Sequence, residues 1–597
     1  MNKTILAIFL ASMSLVYANE TEIPAPPEVY AFDDASVDLI SGHPTFSSTD
    51  LSIGKDWNSL TFGFSNSFGA FYHFYECNYD FYVVRSLAGP FYKSVSTGCD
   101  SQLFKPSGID GQYTSVDGSG ATLIETDLNL GYEYTSKQGV VYRRDRYGNS
   151  TINYPNGYVV SRTTKTEFYP HPYPDVVENP IASSTRTSLI SSNTGLRLNY
   201  VYTRQDVGNH TDQEIRDFRF PKQIIASNSA FEFCSIEGQP CDFIKQWPNV
   251  SYKWPLSSDL SSDEVGYVFD FVVTNSSNQK ITYKHEIIRD PKQSSLVFPR
   301  VVEVHNAAKL YSAKFVWGRY LPCTSCIERW GIVTHATVNG VNYEYRYPQL
   351  PDGYYAGAHS YSDKGTYSYR MRGNSNIYIA KNGPTVKAEF NEHESNFINK
   401  LTTNGLTYSY GRAIRGNITK RTTKAENGTA ILATIEAGYP DSCENLKTCN
   451  KPLWTKDANG NVTDYEYHQE SGQILKITKP ADENGIRPVT HYQYEQKYAR
   501  YYKNNATTIE QADSPIWLLT SEITCIAKAA TETGCQAGDA LTTTYEYGKD
   551  TEANNLWLTG TVVTSASGES RRTCYEYDMY GNQIGESSPS ANLTECP

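Results

Sequence analysis

The sequence predicts an all-β protein built as an array of β-hairpins. Three observations predict it: an excess of tyrosine, a recurring tyrosine doublet, and turn dipeptides between the doublets. The chain has 47 Tyr against 23 Phe and 4 Met in 597 residues. Aromatic and β-branched residues favour strands, while Asn, Asp, Ser and Gly favour tight turns. The composition therefore favours strands and turns over helices.

The doublet is a Tyr-x-Tyr pattern. Alternate residues of a strand lie on the same face of its sheet. Each doublet therefore places two tyrosines side by side, and neighbouring strands can extend them into an aromatic ladder. The copies are Tyr132/Tyr134, Tyr200/Tyr202, Tyr343/Tyr345, Tyr367/Tyr369, Tyr408/Tyr410, Tyr465/Tyr467, Tyr492/Tyr494, Tyr545/Tyr547 and Tyr575/Tyr577.

Turn dipeptides separate these predicted strands. Asn-Gly and Asp-Gly pairs tolerate the positive φ angles of a two-residue type I′ turn, so each predicts a hairpin. Repetition every few tens of residues is typical of an array in which each unit packs on the next. Long helices are not predicted, and the best helical candidate is Ala527 to Ala530. The pairs begin at Asn156, Asn339, Asn382, Asn404, Asn427, Asn459, Asn484, Asp110, Asp117 and Asp352.

The N-terminus has the pattern of a secretory signal peptide. Lys3 supplies a positive charge, residues 5–16 form a short apolar run, and Ala18 provides a small residue for cleavage. A membrane anchor is the alternative, but Ser12 and Ser14 interrupt a run that is shorter than the roughly 20 apolar residues of a spanning helix. We therefore expect an exported protein, secreted, periplasmic or at the cell surface, without a transmembrane segment after cleavage.

The twelve cysteines fall into six neighbouring couples. An even number of cysteines in an exported chain indicates disulfides, and local pairing would staple single hairpins or loops. The sequence leaves the connectivity open, and Cys323 with Cys326 could instead be a redox pair. The couples are Cys77 and Cys99, Cys234 and Cys241, Cys323 and Cys326, Cys443 and Cys449, Cys525 and Cys535, Cys574 and Cys596.

The last 160 residues contain the clearest repeats. One copy runs through Asp457, Asn459, Gly460, Asn461, Tyr465 and Tyr467, another through Tyr575, Tyr577, Asp578, Gly581 and Asn582, and a partial copy through Tyr142, Asp145, Gly148 and Asn149. These segments resemble the YD repeat of the RHS family. The resemblance implies hairpins that wind as one spiralling sheet into a shell. It also implies that Asp578 and Asn582 order the turn through hydrogen bonds to the backbone.

The chain departs from the RHS toxins of that family. Their shell ends in a core segment rich in Asp-Pro, followed by a toxic domain, whereas here Asp290 and Pro291 form the one Asp-Pro pair. The predicted organisation is a signal peptide, an N-terminal β domain, a divergent hairpin region and clear YD repeats. These span residues 1–18, 19–130, 131–440 and 441–597 respectively.

Catalytic and metal-binding patterns are incomplete. His285 and Glu286, like His393 and Glu394, lack the second histidine of a zinc-protease helix. The segment from Asp457 has its glycine in the wrong place for a calcium loop. We therefore expect no enzyme activity, no metal and no cofactor.

A structural or binding protein is the expected function. The formal charge of −12 argues against a nucleic-acid partner. Glycans and envelope or cell-surface proteins are the expected ligands, and the oligomeric state stays open. The alternatives are a truncated shell portion of an RHS toxin delivery system and, less favoured, a glycan-active enzyme whose paired carboxylates the sequence does not reveal.

We predict that the native chain begins near Asn19 and has lost one hydrogen from each of its 12 cysteines. Intact mass spectrometry under non-reducing conditions, on protein from the producing cells and their medium, measures both. A full-length, reduced chain in the cytoplasm would contradict the export prediction.

Overall fold

The computed structural model describes most of the chain beyond the N-terminus. The predicted signal peptide and the helix candidate at Ala527 lie outside the described residues. These are 23–24, 31–66, 79–85, 92–97, 101–126, 131–170, 181–206, 208, 211–234, 241–256, 264–289, 297–306, 310–320, 329–347, 356–363, 365–372, 375–379, 385–390, 397–504, 507–525, 534–587, 589–591 and 593–596.

Strands make up 58% of the chain and helices 2%, which confirms the predicted all-β class. Four strands precede the main sheet: β1 (Val37–Asp38), β2 (His43–Pro44), β3 (Phe46–Lys55) and β4 (Asn58–Asn66). β1 pairs with β2, and β3 pairs with β4, in two separate antiparallel hairpins. Residues 31–66, which contain these hairpins, are called the N-terminal insert below.

The main sheet begins at residue 82. Its first strands are β5 (Tyr82–Arg85), β6 (Lys93–Ser96), β7 (Ser101–Pro106), β8 (Gln112–Ser115), β9 (Thr122–Thr126), β10 (Gly131–Thr135), β11 (Val141–Arg144), β12 (Ser150–Asn153), β13 (Val159–Pro170), β14 (Ile181–Ser192), β15 (Leu196–Tyr202), β16 (Pro221–Asn228), β17 (Asn249–Lys253), β18 (Val268–Asn275), β19 (Lys280–Arg289), β20 (Val297–Asn306), β21 (Tyr311–Tyr320) and β22 (Arg329–Val338).

The sheet continues to residue 586. Its remaining strands, with the side hairpin β36–β37, are β23 (Val341–Arg346), β24 (Ala356–Ser362), β25 (Gly365–Arg372), β26 (Ser375–Ile379), β27 (Thr385–Phe390), β28 (Ile398–Thr403), β29 (Leu406–Arg412), β30 (Ile418–Ala425), β31 (Ile431–Gly438), β32 (Trp454–Lys456), β33 (Val462–Tyr467), β34 (Ile474–Thr478), β35 (Val489–Lys497), β36 (Arg500–Tyr502), β37 (Ile509–Gln511), β38 (Ile516–Cys525), β39 (Ala540–Tyr547), β40 (Leu558–Thr564), β41 (Ser570–Tyr577) and β42 (Gln583–Glu586).

Each strand of the main sheet pairs antiparallel with its neighbour in sequence, except that β35 pairs with β38. The result is one antiparallel ribbon of 36 strands that is not closed. The boundary predicted at residue 130 falls between β9 and β10, which pair directly through Gly131 and Thr126. The domain boundaries therefore stay a prediction, although the ribbon is continuous there.

One α-helix, α1 (Asp212–Arg219), lies between β15 and β16, and a 3₁₀ turn covers Pro589–Ala591. Thr211 and Glu214 form a reciprocal capping box at the start of α1, in which each side chain accepts a hydrogen bond from the backbone N–H of the other residue. This helix was not predicted from the sequence. The Thr-x-x-Glu spacing was the signal that could have predicted it.

The predicted two-residue turns occur at Asn339 and Asn404, where both Asn and the following Gly have positive φ. At Asn156, Asn459 and Asn484 the type I′ prediction is wrong, because φ is positive at the glycine alone. These turns are one residue longer, so the Asn needs no left-handed conformation. Asn382 and Asp352 lie outside the described residues.

The ribbon winds upon itself along one edge. Outside the N-terminal insert, five side-chain hydrogen bonds join residues 313 to 334 positions apart. Bonds between residues so far apart in the sequence mean that a second coil lies along the edge of the first. We call this contact the seam. The pairs are Ser119 and Asn450, Lys137 and Asn450, Asn193 and Ser514, Asn228 and Asn554, and Gln246 and Tyr580.

Asn450 is the most connected residue of the seam. Its Nδ2 donates to the carbonyl groups of Ser119 at 3.0 Å and Lys137 at 2.9 Å, both in the first coil. Its Oδ1 accepts from Asn417 and Arg415 in the second coil. Since Asn450 is 7% exposed, water cannot readily replace these bonds.

We predict that Asn450→Ala lowers the free energy of unfolding by roughly 2–3 kcal/mol, because two buried carbonyl groups lose their donor. Asn427→Ala is the matched control, since Asn427 is exposed in a hairpin turn. Chemical denaturation of both variants measures the effect. Equal midpoints for the two variants would contradict the role of Asn450 in the seam.

Candidate functional site

The YD-type turn is built in the same way in its three copies. The first Asp accepts through Oδ1 from the backbone N–H groups two and four residues later, and through Oδ2 from the Asn side chain, all at 2.8 or 2.9 Å. The glycine has φ +88° in each copy. The Asp, Gly and Asn of the copies are Asp145, Gly148 and Asn149; Asp457, Gly460 and Asn461; and Asp578, Gly581 and Asn582.

These hydrogen bonds explain the residue types of the motif. The carboxylate of Asp457 accepts from Asn461, Asn459 and neighbouring backbone groups, which lowers the pKa of that carboxyl group below its usual value. Only glycine adopts the left-handed conformation at the fourth position without strain. Both carboxylate oxygens of Asp457 thus accept hydrogen bonds within the turn. The turn is a structural element of a hairpin.

The second tyrosine of several doublets lies at a β-bulge. The pairing register shifts by one residue immediately before Tyr202, Tyr467, Tyr494, Tyr547 and Tyr577. In each case the extra residue is in the following partner strand. A bulge bends its strand and increases the local twist. The doublet therefore marks points at which the ribbon curves.

Each of five bulges is completed by an aromatic donor from the next strand. The carbonyl group immediately before the extra residue loses its ladder partner, and a Tyr hydroxyl or Trp indole N–H donates to it instead. The pairs are Tyr202 to Thr187, Trp317 to Val301 at 2.8 Å, Tyr347 to Val333 at 2.9 Å, Tyr494 to Ile474 at 2.7 Å, and Tyr547 to Leu519 at 2.8 Å.

The extra residue often supplies a second bond. At four bulges where it is Ser or Thr, its hydroxyl donates across to a carbonyl of the partner strand at 3.0 to 3.2 Å. Tyr494 and Tyr547 both complete one bulge and lie at the next. These bulges are therefore linked from strand to strand. The donors are Ser188 to Thr163, Thr334 to Val316, Thr520 to Gln493 and Thr559 to Glu546.

The N-terminal insert lies against the face of the ribbon that carries buried tyrosines. β3 contacts β16 and β17, β4 contacts β15, and β2 contacts β22. Buried insert residues such as Leu39 and Leu60 share one hydrophobic core with Tyr343, Tyr345 and Tyr367. Part of the predicted aromatic ladder thus packs against the chain's own N-terminal segment.

Asp33 anchors the insert at a buried position. Its carboxylate accepts from the Tyr345 hydroxyl at 2.6 Å and the Ser360 hydroxyl at 2.5 Å, and from the backbone N–H groups of Ala35 and Val37. Burial raises the pKa of Asp33, and these hydrogen bonds oppose the rise. Tyr378 also donates to the carbonyl group of Phe32. Polar contacts therefore fix the position of the insert on the apolar face.

The last YD turn contacts the N-terminal insert. The backbone N–H of Gly54, near the end of β3, donates to the carbonyl group of Tyr580 at 2.8 Å, and Lys55 donates to Gln583 at 3.0 Å. A Cβ atom at Gly581 would lie 3.0 Å from the Gly54 Cα atom. The insert therefore contacts both coils.

Among the repeat tyrosines of the last 160 residues, Tyr465 and Tyr467 are both buried. The Tyr467 hydroxyl donates to the carbonyl group of Pro452 at 2.8 Å, and Tyr465 bonds to Thr455. Tyr575 bonds to Thr561, and the Tyr577 ring lies 5.3 Å from that of Trp557. These side chains pack within the sheet, and Phe62 of β4, in the N-terminal insert, is 3% exposed.

Four of the predicted cysteine couples are disulfide-bonded. Their Cα atoms are 5.0 to 5.7 Å apart. Cys77, Cys99, Cys323 and Cys326 lie outside the described residues, so their pairing stays a prediction. The bonded couples are Cys234 and Cys241, Cys443 and Cys449, Cys525 and Cys535, and Cys574 and Cys596.

His285 lies in strand β19, stacked on Phe269 and 2% exposed. Burial lowers its pKa to about 3, so the imidazole is neutral near pH 7. Within the described ranges, no three His, Cys, Asp or Glu residues are grouped to hold a metal ion. His393 lies outside them. In the same described part of the chain, no helix is long and apolar enough to span a membrane.

Comparison with known proteins finds matches among solved structures alone. No family model and no curated protein matches the chain. A crystal structure of TcdB2-TccC3-TEV aligns at 9% identity over 94% of this chain and 28% of that chain, with a TM-score of 0.29. A crystal structure of TcdB2-TccC3 without its hypervariable C-terminal region aligns at 8% identity over 89% and 25%, with a TM-score of 0.26.

A Tc holotoxin pore structure from Photorhabdus luminescens aligns at 10% identity over 85% of this chain and 31% of that chain, with a TM-score of 0.20. The present chain spans less than a third of the length of each of these chains. Similarity at this level concerns neither activity nor partners.

We predict that Tyr494→Phe lowers the free energy of unfolding by about 1–2 kcal/mol, because the Ile474 carbonyl group loses its donor. Tyr408→Phe is the control, since its hydroxyl has no hydrogen-bond partner among the described residues. Urea denaturation of both variants tests the bulge model. A smaller loss for Tyr494→Phe than for Tyr408→Phe would contradict it.

Proposed function

We propose that the protein is an exported, non-enzymatic structural protein whose ribbon forms a curved wall. The observation that carries this proposal is the seam, where side chains form hydrogen bonds with residues more than 300 positions away in the sequence. A ribbon that lies along its own edge gains rigidity over a large surface. It covers its inner face with the chain's own insert.

Export is supported by the four disulfides and by the signal-peptide pattern. A structural role is supported by the hydrogen bonds that the repeat residues form within the fold. Asp457 and Asp578 are bonded within their turns, and doublet tyrosines such as Tyr494 and Tyr547 donate to carbonyl groups of the sheet.

Protease resistance outside the cell tests this proposal. We expect the protein in the medium or envelope fraction, oxidised and resistant to trypsin, since the seam and disulfides restrain both coils. Asn450→Ala or full reduction should increase the cleavage rate, whereas Asn427→Ala should leave it unchanged. A panel of polysaccharides should remain uncleaved.

Three results would contradict the proposal. A reduced protein in the cytoplasm would contradict the proposed export, and hydrolysis of a polysaccharide would indicate an enzyme. A longer native species with a further domain beyond residue 597 would favour the toxin-shell alternative instead. Mass spectrometry of the purified fraction distinguishes these outcomes.

A further inference from the structure

Three arginines of neighbouring strands are buried in the ribbon, and their environments differ. Arg162 forms an ion pair with Asp80 at 2.8 Å. Arg186 donates to the carbonyl groups of Arg204 and Phe218 and to Gln205. Its guanidinium also lies 4.1 Å from the centre of the Tyr202 ring. Both charges are therefore compensated by acceptors or by an aromatic face.

Arg197 lacks such compensation. The residue is 6% exposed, and its Nη1 donates to the carbonyl group of Cys234 at 2.8 Å. Its Nε and Nη2 atoms have no hydrogen-bond partner, and no carboxylate of the described residues forms an ion pair with it. A buried charge without a counter-charge is strongly unfavourable, so such a group calls for a bound ion or water.

The neighbours of Arg197 are also donors. Ser191 and Ser227 are its direct cross-strand partners on β14 and β16, so the three side chains lie on one face. The Ser227 hydroxyl accepts from Asn199 at 2.8 Å, which leaves its own hydrogen to donate. Ser227 is fully buried. Arg197 therefore has unpartnered N–H donors beside two serine hydroxyls and no carboxylate in an ion pair with it.

The second coil covers this position. Tyr501 of β36 packs directly over Gly195, where an added Cβ atom would lie 2.8 Å from the Tyr501 ring. The backbone N–H of Tyr502 donates to the carbonyl group of Ser229 at 3.0 Å. The donors thus lie where the first and second coils meet.

We propose that Arg197, with Ser191, Ser227 and Tyr501, binds a small inorganic monoanion at the seam. The guanidinium supplies the charge and two N–H donors, and the serine hydroxyls supply further donors. Binding neutralises the buried charge and so stabilises the contact between the coils.

Salt-dependent thermal stability tests the site, with chloride as the probe. At constant ionic strength, replacing sodium gluconate by sodium chloride should raise the melting temperature of the wild-type protein by several degrees, because an ion that binds the folded state stabilises it. Ser227→Ala, which keeps the charge but removes a donor, should reduce this rise. Arg197→Gln should abolish it.

Arg186→Gln is the matched control. It removes a buried guanidinium that has its own acceptors, so it should lower stability while keeping the chloride-dependent rise. A rise of equal size in Arg197→Gln and the wild type would indicate a general salt effect and overturn the proposal. No rise in the wild type would overturn it as well.

A bromide derivative locates the ion directly. Crystals of the full chain in sodium bromide should show an anomalous peak in contact with the Arg197 guanidinium, and this peak should be missing in Arg197→Gln. Water at that position in the presence of bromide would overturn the proposal. The result does not depend on the structural function proposed above.

Discussion

The fold depends on supplying a hydrogen-bond partner to each backbone group that leaves the regular ladder. A long antiparallel ribbon must bend to lie along its own edge, and bulges provide the bend at the cost of unpaired carbonyl groups. Tyr494 and Tyr547 supply the missing donors from the following strand. The aromatic content of the chain is thus explained by hydrogen bonding as much as by packing.

Local features could be predicted from the sequence because they are encoded in a few adjacent residues. The all-β class followed from the doublets, and the turns at Asn339 and Asn404 followed from their dipeptides. At Asn459 the same dipeptide forms a longer turn, because the carboxylate of Asp457 binds the backbone on its far side. The dipeptide alone does not show that competing contact.

Long-range features could not be predicted. The seam joins Asn228 to Asn554, and nothing near either residue in the sequence specifies the other. The position of the insert could not be predicted either, since its alternating apolar residues are typical of any half-buried strand. Arg197 gave no signal either, because an isolated arginine in a strand is usually solvated and its burial depends on Tyr501 of another coil.

The seam limits how the chain length can change in evolution. An extra hairpin between Asn193 and Ser514 would displace every later residue of the second coil relative to the first, and the contacts at Asn228 and Gln246 would be lost together. Gains and losses of single repeats are therefore expected to be rare between these positions. Loops on the edge opposite the seam can lengthen freely, because they leave the phase of the two coils unchanged.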